Sequence, residues 1–107
     1  MLLLLAAMLA DPQAHSGIKY SLGNVNESSI PYVITYTECF EGAWMANINA
    51  NKQARDEALR TCITLRPELI DKYGSSRTGD RLQAKRNLER SFDGIEKAYQ
   101  KASDKKG

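Results

Sequence analysis

An all-α bundle of three helices stapled by one disulfide is predicted for this 107-residue chain. Three observations carry the prediction. Three stretches place apolar residues at steps of three and four, two cysteines lie symmetrically about an Asn-rich turn, and no convincing set of strands is present. With 42% hydrophobic and 26% charged residues and a formal net charge of +2, the composition fits one small globular domain and excludes a disordered chain.

From its beginning, the chain is expected to divide into a signal peptide at 1–14, a flexible leader at 15–30, a helical domain at 31–102 and a frayed tail at 103–107. Met1–Ala10 is an uncharged, leucine-rich run. It is shorter than the about 20 apolar residues of a membrane span but matches the ~7–15 of a secretory signal. Small residues favour cleavage after Ala14, with Ala10 as the alternative, although no Lys or Arg precedes the leucines. The competing reading is a buried N-terminal helix of a cytosolic domain. Residues 15–30 are rich in Gly, Ser and Asn without helical periodicity, and Asn26-Glu27-Ser28 matches a glycosylation sequon.

The first helical segment follows Pro31, which suits a first turn. Tyr32-Val33-Ile34-Thr35-Tyr36-Thr37 has strand propensity, but Tyr32, Tyr36, Phe40 and Trp44 recur at i, i+4 and favour helix. In the second segment, Ala54, Ala58, Cys62, Leu65 and Leu69 form the apolar line, with Arg55, Asp56, Arg60 and Arg66 off it. Pro67 marks a break near Arg66, and Tyr73-Gly74 a stop. The third segment runs along Ala84, Leu88, Phe92, Ile95 and Tyr99, capped by Ser76 or Thr78 with Asp80 in its first turn. Gly94 inside it permits close approach of another helix.

The midpoint between Cys39 and Cys62 falls between Ala50 and Asn51, inside Asn47-Ile48-Asn49-Ala50-Asn51, so an antiparallel hairpin that turns there brings them together. Closing that loop stabilises the fold by roughly 3 kcal/mol. Two oxidised cysteines suit a periplasmic or secreted protein.

Most chemistry is disfavoured. Two cysteines and the lone His15 do not make a zinc set, so no metal or cofactor is expected. Gly74–Gly79 has the glycine spacing of a P-loop but is followed by Asp80 and Arg81 where Lys and Ser or Thr are required. Glu38 and Glu41, one turn apart, resemble an acid/base pair but read better as solvated carboxylates, which leaves a small hydrolase as a third reading. Ser76 onward holds nine Lys or Arg against five acids, with Arg86 and Arg90 positioned to pair with Glu89 and Asp93. Phe92 and Tyr99 belong to the core line rather than to base stacking, which disfavours nucleic acid as a partner, whereas weak contact with an anionic membrane surface fits the basic face.

The expected function is that of an exported, non-enzymatic binding protein of the cell envelope, of inhibitor or immunity type, with a protein partner in the envelope or outside the cell. The alternative is a basic surface protein that binds anionic lipid or nucleic acid. In architecture alone the chain is similar to small two-cysteine helical proteins of the bacterial envelope, and no functional residue carries over from that likeness. The candidate partner contacts are Tyr32 and Trp44, the ends of the aromatic ladder. Trp44 is expected to be partly exposed because it lies just before the turn.

Overall fold

The computed structural model describes residues 16–107. The signal-like segment, its cleavage sites and His15 lie outside the described residues. Those described are helical and irregular, without strands: a 3-10 turn at Glu27–Ser29, then α1 (Ile30–Ala46), α2 (Lys52–Ile63), α3 (Arg66–Ser75) and α4 (Arg81–Lys106). The three predicted helical segments form the bundle, the second of them in two pieces. Pro67 explains that break, because its ring meets the carbonyl four residues earlier, that of Ile63, where α2 ends.

The α1–α2 hairpin turns where its asparagines stand. Asn47 closes α1 by donating its side-chain amide to the Ala43 carbonyl, and Asn51 caps α2 by accepting from the Ala54 amide at 2.8 Å. With this turn set, Cys39 and Cys62 face each other at a Cα–Cα distance of 5.8 Å and are joined by a disulfide.

Phe40, Tyr36 and Val33 from α1 meet Leu59 and Cys62 from α2, Ile70 and Tyr73 from α3, and the complete predicted line of α4. Tyr36 stacks on Phe92 with ring centroids 4.0 Å apart, and Phe40 tilts against Tyr99 at 5.5 Å. The Tyr32-Val33-Ile34-Thr35-Tyr36-Thr37 run is therefore helical despite its strand propensity. Its aromatic stripe has a core to enter, whereas a lone strand would have had no backbone partner.

Several local expectations are corrected. Trp44 is not exposed: only 6% of its surface is accessible, because the Tyr99 ring packs against it edge-on at 6.1 Å and Arg55 covers its face at 5.7 Å. Arg55, placed by periodicity off the apolar line, is itself 1% exposed. Neither Ser76 nor Thr78 caps α4: Asp80 is the N-cap residue, and its carboxylate is held by Arg77 rather than by the helix amides. Asp93, expected to pair along α4 with Arg86 or Arg90, reaches across to Arg66 instead, as Glu96 also does.

The helix also runs past residue 102 to Lys106, with Ser103 fully buried. Gly94 admits no helix. A Cβ built there would overlap the carbonyl oxygen of Ser21, so the glycine is the bed for residues 16–26, a strap laid against the bundle. Ile18, Tyr20 and Leu22 alternate inward along the strap while Gly17, Lys19 and Ser21 face solvent. The Ser91 hydroxyl donates to the Leu22 carbonyl at 2.6 Å. The Gly-, Ser- and Asn-rich composition of this stretch conceals a period-two apolar set of three residues, too short a run to read from sequence.

Candidate functional site

Four polar clusters are embedded in the bundle, and each is built from a helix-borne side chain that reaches another element. At the hairpin end, Arg55 on α2 donates through Nε to Ser103 Oγ (3.1 Å), through Nη2 to the Ser103 carbonyl (2.9 Å) and through Nη1 to the Ala50 carbonyl (3.1 Å). Ser103 Oγ in turn donates to Asp56 Oδ1 at 2.6 Å, and Lys52 closes the group on Asp56 and Asp104. The Lys52 ammonium and the Ser103 hydroxyl hold the Asp56 carboxyl below the usual carboxylate range. A cation beside the last carbonyls of α4 also opposes that helix's negative end.

In the middle of the bundle, Glu96 accepts from Tyr36 Oη at 2.5 Å and from Arg66 Nη1 at 2.7 Å, while Arg66 also reaches Asp93 at 2.8 Å. Burial, reinforced by the bond to the Glu96 carboxylate, pushes the Tyr36 phenol up. These atoms are mutually satisfied, with Arg66 lying 5.9 Å over the Phe92 ring. The arrangement cross-links α1, α3 and α4.

A third group gathers the chain upstream of α1. The Tyr73 hydroxyl bonds to Ser28 Oγ at 2.9 Å and accepts from Asn26 Nδ2 at 3.2 Å, while Arg77 donates to Ser28 and lies 5.8 Å over the Tyr73 ring. The amide of the sequon asparagine is thus engaged within the fold. Tyr32, one of the two predicted contacts, is half-buried beside this group, its ring 5.3 Å from Tyr73.

The fourth group centres on Glu41, which is not the solvated carboxylate its sequence position suggests. Oε1 accepts from Tyr99 Oη at 2.6 Å and Oε2 from the Ser16 backbone amide at 2.7 Å. Burial and the neighbouring carboxylate push the Tyr99 phenol up. Glu38, its supposed acid/base partner, is exposed. Glu41 is engaged with Tyr99 and Ser16 on the bundle side, whereas Glu38 faces solvent. No group of three or more His, Cys, Asp or Glu with metal-site geometry occurs among the described residues.

Several large apolar side chains remain exposed at the surface. Ile30 and Ile34, one helical turn apart on α1, are 43% and 49% exposed. Near the start of α4, Leu82 is 64% exposed in a shallow open depression of about 410 Å³ that it lines with Gly79, Arg81 and Lys85. Trp44 and Tyr32 are not brought together, since they stand at opposite ends of α1. Of the two isoleucines, Ile34 was visible in the Tyr32–Thr37 run and Ile30 just before it, but only the choice of helix over strand assigns them to the outward face.

No protein-family model, curated protein sequence or solved structure matches the chain. Its class rests on the fold: a small, disulfide-bonded, all-α bundle. The Cys39–Cys62 bridge suits an oxidising, non-cytoplasmic environment, and among the described residues no helix is long and apolar enough to cross a membrane.

Proposed function

We propose that the protein is an exported, non-enzymatic binding protein of the periplasm or the extracellular space, and that it recognises a protein partner in the manner of an inhibitor or immunity protein. One observation carries this reading. Ile30 and Ile34 present adjacent apolar side chains on α1, the helix that the disulfide anchors to α2. Apolar side chains held on a rigid element suit a protein contact, because little conformational freedom remains to be lost on binding. The interior carboxylates and guanidinium groups, by contrast, are engaged in bonds between elements, which favours a structural role for them.

Site-specific photo-crosslinking tests the proposal. A photoreactive residue at position 34 of the exported protein is expected to give a discrete protein adduct that disappears in an Ile30→Asp background. Absence of any adduct above that obtained from position 82 overturns it.

A second reading has its own observation. Arg81, Leu82 and Lys85 combine two cations with an exposed leucine, a composition suited to an anionic amphiphilic surface. On this reading, binding to vesicles that contain anionic lipid falls steeply between 50 and 500 mM salt (roughly from a ~14 Å to a ~4 Å screening length) and disappears in Arg81→Glu/Lys85→Glu. Protein-partner binding through Ile30 and Ile34 is insensitive to both changes.

A further inference from the structure

Most carboxylates of α4 are drawn toward neighbouring helices, and a row of its cations is left without counter-charge. From Ser76 onward five acids stand among nine Lys and Arg. Asp93 and Glu96 pair with Arg66 of α3, Asp104 with Lys52 of α2, and Asp80 with Arg77. Glu89, the fifth acid, is half-buried. Arg86, Arg90, Lys97, Lys101 and Lys105 are exposed, and none has an ion pair or side-chain hydrogen bond among the described residues.

These five follow steps of four, seven, four and four along α4. At about 100° and ~1.5 Å per residue, they occupy a sector of about 100° and run about 28 Å along the helix. Between Arg90 and Lys97 stand Gly94, which has no side chain, and Asp93, whose carboxylate meets Arg66 at 2.8 Å. Like charges held in one row on a helix repel one another. A polyanion laid along them relieves that repulsion and releases its own counterions.

We propose that this stripe binds a linear phosphate polymer, which lies along α4 from Arg86 to Lys105. The surface is distinct from Ile30 and Ile34 on α1, and the proposal does not depend on the protein partner inferred for them. Two other polyanions fit the stripe less well. A membrane surface is held by apolar side chains placed among the cations, and Leu82, the exposed large apolar residue of α4, precedes the stripe. Single-stranded nucleic acid is held by aromatic rings that stack on bases, and Phe92 and Tyr99 are buried. What the stripe offers is a row of charge alone. An unbranched phosphate polymer, charged at every repeating unit, matches it.

Calorimetric titration of the folded full chain with inorganic polyphosphate, between 50 and 500 mM salt, provides the test. Five cations on a flexible polyanion give a log–log salt slope of roughly −3.5, a loss of about 3000-fold in affinity across that range. Lys97→Gln/Lys101→Gln removes two of the five and should lower the slope to roughly −2, a loss of about 100-fold. Arg60→Gln/Lys72→Gln removes the same charge from α2 and α3, and should leave the slope unchanged. All four side chains are exposed, so melting temperatures report that each variant is folded. No binding at 50 mM salt, or equal effects of the two double variants, overturns the proposal. Tighter binding to anionic-lipid vesicles or to duplex DNA at equal phosphate concentration also overturns it, by assigning the stripe to a membrane or to nucleic acid.

Discussion

Arg55 and Ser103, 48 residues apart, are joined by two hydrogen bonds of 2.9 and 3.1 Å from one guanidinium to the carbonyl and hydroxyl of one serine. The contact pins the last turns of α4 to the start of α2. It accounts both for the burial of a charged residue and for the continuation of α4 to Lys106. Three acceptors and the Trp44 ring surround the cation in place of water.

Arg55→Lys is therefore not a conservative change. An ammonium cannot reproduce the planar fork that serves Ser103 and Ala50 together. We expect a loss of at least about 2 kcal/mol in denaturant unfolding, the scale of one or more buried charged hydrogen bonds. A loss within about 0.5 kcal/mol, as at ordinary surface sites, would contradict the role assigned to the guanidinium.

Gly94→Ala separates helix propensity from strap docking. In an open helix the substitution would stabilise by about 1 kcal/mol. Here the added methyl meets the backbone of Ser21, which cannot yield without lifting the strap. The expected outcome is faster hydrogen exchange at residues 18–22 and net destabilisation, with helical content by circular dichroism unchanged. Increased stability with the strap still protected would show that the chain passes Gly94 by another route.

Trp44→Ala should cost about 3–5 kcal/mol, the usual penalty for deleting a large buried aromatic. The same burial predicts blue-shifted tryptophan fluorescence that iodide does not quench until the protein unfolds. Ready quenching in the native state would return Trp44 to the surface.

Acid should weaken the hairpin end of the bundle. Because Lys52 and Ser103 depress the folded-state pKa of Asp56, its contribution is fully present above the unfolded value of about 3.9. That contribution is lost as pH falls through the lower folded value. The melting temperature should accordingly drop below about pH 4. Asp56→Asn should be less stable than wild type at pH 7 but lose less between pH 5 and pH 2. Parallel pH profiles for the two proteins would remove Asp56 from the account.

Periodicity alone determined the helical segments, the core line Ala84–Leu88–Phe92–Ile95–Tyr99 and, with the Asn-rich turn, the pairing of Cys39 with Cys62. These features depend on residues close in sequence or on one symmetric hairpin, so local spacing contains the needed information. The break before Arg66 belongs to the same class, since Pro67 acts on the carbonyl four residues away. The candidate site was legible only in part. Tyr32 and Trp44 were marked by their spacing, but whether an i, i+4 stripe ends in solvent depends on what arrives from elsewhere, and Tyr99 and Arg55 arrive at Trp44. Arg55 and Glu41 gave no local sign of their roles, and Gly94 marked a close approach without identifying what approaches, because their partners Ser103, Tyr99 with Ser16, and Ser21 lie 25 to 73 positions away. Tertiary structure decided these pairings: a buried charge needs another segment to supply its hydrogen bonds, the backbone that passes Gly94 comes from far along the chain, and no window of sequence contains both halves of such a contact.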